Sequence, residues 1–174
     1  MRPTWCCSTT RTGPSGPPEP VRRALILGVL TVAVTLAACA PPSGRGLQES
    51  QLDSQISQVV GDPSTCVLLA DRASGQVVYR YGEEANCARA LPACDSPGTL
   101  DARDALKYAS RPGGRMASCP SVPDGSRQVG WAEGPVRSVS HRDLIYSAVM
   151  EGQRALPGHE INARLFDAFE KAGV

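Results

Sequence analysis

The chain has 174 residues, with 18 Lys and Arg against 17 Asp and Glu, and 41% of its residues are hydrophobic. That length suits one domain at most. A net charge of +1 with no long run of one sign excludes an electrostatic nucleic-acid binder and a disordered acidic tail.

Residues 1–20, MRPTWCCSTTRTGPSGPPEP, hold a Trp, two cysteines, an acid and a Pro/Gly cluster. They do not read as the start of an export signal. From Val21 the pattern changes: Arg22 and Arg23 lead into the uncharged run Ala24 to Ala38. A short apolar run behind a positive start is how a secretory signal peptide reads. Translation is therefore expected to begin at Val21, leaving 1–20 untranslated; the alternative is a genuine extended n-region that is translated with the rest. A lasting transmembrane helix needs about 20 apolar residues. This run is shorter and meets Pro41-Pro42, which cannot continue a helix.

The run ends in Leu36-Ala37-Ala38-Cys39. This segment resembles the lipobox of bacterial lipoprotein signal peptides. The resemblance implies a diacylglycerol on the Cys39 sulfur, cleavage between Ala38 and Cys39, and further acylation, such as palmitate, at the new N-terminus. Two or more acyl chains hold a protein firmly to a bilayer, whereas one does so only marginally. The expected organisation is a signal peptide over 1–38, a Pro-, Gly- and Ser-rich lipidated tether over 39–50, and one domain over 51–174. The expected location is the cell envelope, anchored to a membrane and facing the periplasm or the exterior.

Within the domain, Leu52, Ile56, Val59 and Val60 share a helical face, so 49–60 is predicted helical. Gly61-Asp62-Pro63 stops that helix. Cys66 to Ala70 is a short apolar run suited to a buried strand. Asp71 to Gly75 supplies a turn, and Gln76 to Tyr81 is β-branched and aromatic; the two runs predict a hairpin. Thr99 to Ala109 is predicted as a helix capped by Thr99. Residues 111–126 are read as a loop, with a turn at Pro123-Asp124-Gly125. Arg127 to Ala132 is predicted as a third strand, carrying Trp131. Ser140-His141-Arg142-Asp143 resembles a capping box, and Leu144, Ile145, Ala148 and Val149 would form the apolar face of a helix behind it. Ile161, Leu165, Phe166 and Phe169 mark a last helix, ended by Gly173. The predicted fold class is α+β: a small antiparallel sheet covered by helices.

Four cysteines lie in the domain: Cys66, Cys87, Cys94 and Cys119. An even count in an exported chain predicts two disulfides. Three pairings are open. Cys66–Cys87 and Cys94–Cys119 are favoured because each closes a modest loop around a local unit. No C-x-x-C occurs in the domain, which argues against a metal or redox site there.

Asp71-Arg72-Ala73-Ser74-Gly75-Gln76-Val77-Val78-Tyr79 resembles the opening hairpin of penicillin-binding proteins and serine β-lactamases, and Pro92-Ala93-Cys94 is similar to the segment leading to their nucleophile. The resemblance covers about a fifth of the mature chain. It implies a five-stranded sheet with an open cleft, and a Ser-x-x-Lys whose lysine helps activate the serine. That motif is missing: Asp104 stands three residues before Lys107, and Ala168 before Lys171. Ser-x-Asn and Lys-Thr-Gly are absent as well. No Gly-x-Ser-x-Gly elbow occurs. Ser140 and His141 are helix neighbours that would point apart. His159-Glu160 has Ala163 where a zinc motif needs its second histidine. No catalytic residue, metal or cofactor is therefore assigned.

Tyr79 and Tyr81 alternate onto one side of their strand. With Trp131 they are the candidates for an aromatic binding surface, set against the simpler role of core packing. The function expected is that of an envelope lipoprotein whose non-catalytic domain binds or scaffolds a cell-wall or envelope-protein partner. A truncated relative of the penicillin-recognising hydrolases is the alternative.

Overall fold

The computed structural model describes residues 47–137 and 143–174. The segment expected to be a signal peptide, Cys39, most of the expected tether and Ser140 to Arg142 lie outside the described residues. Among the described residues no helix is long and apolar enough to cross a membrane.

Helix α1 (Glu49–Val60) buries Leu52, Ile56 and Val60, as the spacing predicts. Its last carbonyl is taken by Thr65 Oγ1 at 2.7 Å. Strand β1 (Cys66–Asp71) turns into β2 (Val77–Tyr81). The turn is built by the Asp71 carboxylate, which accepts from Ser74 N and Oγ at 2.8 Å each, and by Gly75 at φ +70°. A one-turn helix α2 (Glu84–Cys87) follows, then a two-residue ladder of β3 (Leu91–Pro92) with β4 (Thr99–Leu100). Helix α3 (Ala102–Ala109) starts at Asp101, whose carboxylate accepts from Asp104 N at 2.7 Å. The helix thus begins later than Thr99, because Thr99 is drawn into the ladder with Pro92 and Asp101 takes over the capping.

Three antiparallel strands complete the sheet: β5 (Arg115–Pro120), β6 (Gln128–Pro135) and β7 (Leu144–Gly152). Two of them correct the sequence reading. The expected loop over 111–126 contains β5, whose Arg115, Ala117 and Cys119 alternate inward with no β-branched residue to announce a strand. The expected helix on Leu144, Ile145, Ala148 and Val149 is β7. It lies at the centre of the sheet, buried from Leu144 to Glu151. A strand covered on both faces loses its alternation and reads as a continuous apolar run, which periodicity cannot tell from a helix. Helix α4 (Gly158–Lys171) closes the chain with Ile161, Leu165, Ala168 and Phe169 buried.

The five-stranded sheet has the order β2-β1-β7-β6-β5, antiparallel throughout. The fold is α+β, a sheet covered by helices on both faces. On one face α1 and α4 pack over Val67, Leu69, Tyr79, Tyr146, Ala148 and Met150. On the other, α3, α2 and the β3–β4 hairpin pack over Leu68, Val129, Trp131, Ile145 and Val149. The second face holds both disulfides, Cys66–Cys87 and Cys94–Cys119, with Cα separations of 5.2 and 5.4 Å. Each closes a loop of the size that contributes about 3 kcal/mol in the chain-entropy model.

Candidate functional site

The three aromatic candidates do not share a surface. Tyr79 is buried against α1, and its hydroxyl donates to Asp53 at 2.6 Å. Burial, reinforced by that bond, pushes the phenol well above its ordinary range. Tyr81 is half-buried on the same face, where burial and the charge of Asp53 push its phenol up. Trp131 is fully buried in the opposite layer, with its indole nitrogen donating to Pro92 O at 2.7 Å. Large side chains are scarce in this chain, and both layers use them as core.

Two clusters of charge lie on the face beneath α3, one near each end of the β6–β7 pair. Alternation along β6 puts Glu133 on the same side as Trp131, directly opposite Arg115 on β5 and Ser147 on β7. Arg115 Nη1 donates to Glu133 Oε1 at 2.8 Å. The rest of the guanidinium reaches the loop after β3: Nε and Nη2 each lie 2.7 Å from an Asp95 carboxylate oxygen, and Nη2 also donates to Ala93 O. The ring of Tyr108 lies 5.0 Å from Arg115 Cζ. Ser147 Oγ donates to Ala102 O, and Glu133 Oε2 has no hydrogen-bond partner among the described residues. Burial pushes the Glu133 carboxyl up to about 7, against the pull of Arg115. Hydrogen bonds from Arg115 hold Asp95 below its ordinary value.

At the other end Glu151 is satisfied on all sides. Arg127 Nε and Nη2 lie 2.7 and 2.5 Å from its two oxygens. Arg89 Nη1 donates at 2.8 Å and Ser121 Oγ at 2.7 Å. The hydrogen bonds from Arg127, followed by that from Ser121, hold its carboxyl down to about 2.

The chemistry this arrangement offers is the retention of a proton at Glu133 near neutral pH and the joining of separate segments by arginine. Ser147, directly across from Glu133 on β7, is engaged with Ala102 O. Between β1, β2 and α3 there is a cavity of about 100 Å³, lined in part by Leu68, Val77, Cys87 and Arg103. Ligand pockets run to roughly 300–1,000 Å³; open grooves elsewhere on the described surface reach that size, among them one of about 450 Å³ beside Arg137, Phe166 and Phe169. Sequence reasoning missed Arg115 because its segment reads as a loop. Glu133 had one signal: it stands two residues after an inward Trp131, so the strand's own period points it into the core.

Comparison with known proteins identifies no relative: no family model, no curated protein and no solved structure matches this chain.

Proposed function

We propose that this chain is a membrane-anchored envelope lipoprotein whose domain binds or scaffolds a partner without catalysing a reaction. The observation that carries the reading is Leu36-Ala37-Ala38-Cys39 at the end of a short apolar run behind Arg22 and Arg23. A second fact supports export: the domain is cross-linked twice, and disulfides persist in oxidising compartments outside the cytosol. The buried acids and arginines serve as ties between segments, which suits a rigid binding module. The test is metabolic labelling with palmitate. Label is expected on the wild-type chain and lost in Cys39→Ala; label that persists in the variant overturns the anchor.

A second reading is favoured by one observation. The Asp71-to-Tyr79 hairpin opens a five-stranded antiparallel sheet, as the likeness to penicillin-recognising hydrolases implies. The Ser-x-x-Lys motif that activates their nucleophile is missing from the sequence, so that relative would be degenerate. A fluorescent β-lactam separates the two readings. No covalent label is expected on the purified chain; stoichiometric labelling would overturn the non-catalytic reading in favour of the hydrolase.

A further inference from the structure

The geometry points to the β3–β4 hairpin, residues 91–100, as a redox-released strap: reduction of Cys94–Cys119 frees it from the sheet and uncovers Trp131. The inference rests on the strap's own contacts and makes no use of the lipid anchor.

The two disulfides differ in what a reductant can reach. Cys66 and Cys87 are buried at 0% and 5% exposure, tying β1 to α2 inside the second core layer. Cys94 and Cys119 are half-buried, at the hairpin and the edge strand β5. Cys94 also has φ +72°, the one described non-glycine residue in the left-handed region. A side chain there carries backbone strain of about 1 kcal/mol or more. Exposed or strained disulfides are the labile ones in a protein that holds several.

The strap is otherwise held by few groups. Trp131 Nε1 holds Pro92 O, and Arg115 holds Ala93 O and Asp95. Asp95 is exposed, but Arg115 is buried and grips it through two nitrogens, so this pair is the main polar tie left to the strap once the disulfide opens. Beneath the strap lie the fully buried indole of Trp131 and the Arg115–Glu133 pair. Once the covalent tie is cut, the apolar anchors left in the strap are Leu91, Ala93 and Leu100.

The reaction is thiol–disulfide exchange with a dithiol of the same compartment. One thiolate of the dithiol attacks Sγ of Cys94 or Cys119 and forms a mixed disulfide; the other protein sulfur leaves as thiolate and takes a proton. The second sulfur of the dithiol then resolves the mixed disulfide. The protein gains two electrons and two protons, and the dithiol departs as a disulfide.

The test uses the full chain carrying Trp5→Phe, so that Trp131 reports alone. It is titrated with dithiothreitol, the free thiols are alkylated, and the peptides are mapped by mass. Acrylamide quenching follows the indole, and far-ultraviolet circular dichroism follows the sheet. Cys94–Cys119 is expected to open at roughly tenfold lower dithiothreitol than Cys66–Cys87, with Trp131 becoming quenchable while the sheet signal holds. Cys94→Ser with Cys119→Ser should give a quenchable indole without reductant. Three results each overturn the proposal: simultaneous opening of both bonds, earlier opening of Cys66–Cys87, or an indole that stays protected after Cys94–Cys119 opens. If the double serine variant does not fold, the wild-type titration decides alone, and loss of the sheet signal on opening this bond also overturns it.

Discussion

Glu133 and Glu151 sit on neighbouring strands, on the same face of the sheet, with side chains no more than 5% exposed. One is held near neutrality and the other down to about 2. Depth is one part of the difference: desolvation is the largest cause of the Glu133 shift, whereas at Glu151 the bonds from Arg127 outweigh it. The donors are the other part. Glu151 receives bonds from two arginines and a serine, whereas Glu133 shares one guanidinium with Asp95 and keeps an oxygen that has no partner among the described residues. A buried carboxylate is stable as an anion only when both oxygens are served. The two ends of one sheet face thus respond to acid in opposite directions.

The largest effect should come from removing the guanidinium that is bonded to Glu133. Arg115→Met leaves the acid buried and unpaired and strips Asp95 and Ala93 of their partner. Breaking a buried pair from one side costs about 3–5 kcal/mol. Urea unfolding at pH 8 should show that loss, shrinking as the pH falls and Glu133 takes up a proton. An equal loss at pH 5 and pH 8 would mean that Glu133 does not feel Arg115.

Replacing the acid instead should do the reverse. Glu133 holds its proton more tightly in the fold than in the unfolded chain, where a carboxyl titrates near 4.5. Its ionisation therefore opposes folding: stability rises as the pH falls from about 8 towards 4.5. Glu133→Gln removes that charge while its amide oxygen can still accept from Arg115, which also keeps Asp95. The variant should be more stable than wild type by roughly 1–3 kcal/mol at pH 8, with the gap closing by pH 5. A destabilised Glu133→Gln at pH 8 would show that the ion pair outweighs its desolvation.

Glu151 supplies the opposite limb. Its carboxyl is held below the unfolded value, so its contribution is present above pH 4.5 and is lost as the pH falls towards 2. Glu151→Gln should lower stability at neutral pH by about 2 kcal/mol, since bonds to a charged group are worth roughly 1.5–3 kcal/mol. Arg89 and Arg127 are 42–43% exposed and can return to water, which keeps the loss below that of Arg115→Met. The variant's stability should then fall less steeply than that of wild type between pH 4.5 and 2.5, the remaining slope coming from other acids held low, such as Asp95. A wild-type acid limb left intact in Glu151→Gln would assign that limb to other carboxylates.

What was legible in the sequence follows the same division between local and distant partners. The β1–β2 hairpin could be read because its turn is made by residues three or four apart, Asp71, Ser74 and Gly75. Helices α1 and α4 could be read because each buries one stripe and leaves the rest in water. The disulfide pairing was legible because each bond spans only 21 or 25 residues. Strand β7 was not, since burial on both faces erases the period, and β5 was not, since Arg-Met-Ala-Ser-Cys-Pro becomes a strand only beside β6. The Glu133 site depends on that pairing. Its acid and its cation are 18 residues apart and meet only when β5 takes its register, so no local pattern could announce them.

The smallest effect tests the comparison at the edge of the core, where a buried donor meets an exposed acid. Tyr79 donates to Asp53 at 2.6 Å, an acid as exposed as Glu133 is hidden. Tyr79→Phe keeps the ring in its layer and deletes one bond between β2 and α1. The carboxylate left behind stays in water, so no desolvated charge remains to be penalised. The loss should be only the net worth of one hydrogen bond to a charged group at a wet site, about 1 kcal/mol, read as a shift in urea midpoint with the slope unchanged. Arg115→Met and Tyr79→Phe each remove a donor from one carboxylate. If their costs came out equal, the partner's exposure would not be what separates the two ends of the sheet. A ratio of roughly threefold or more is the outcome that ties both numbers to the solvation of the acid left behind.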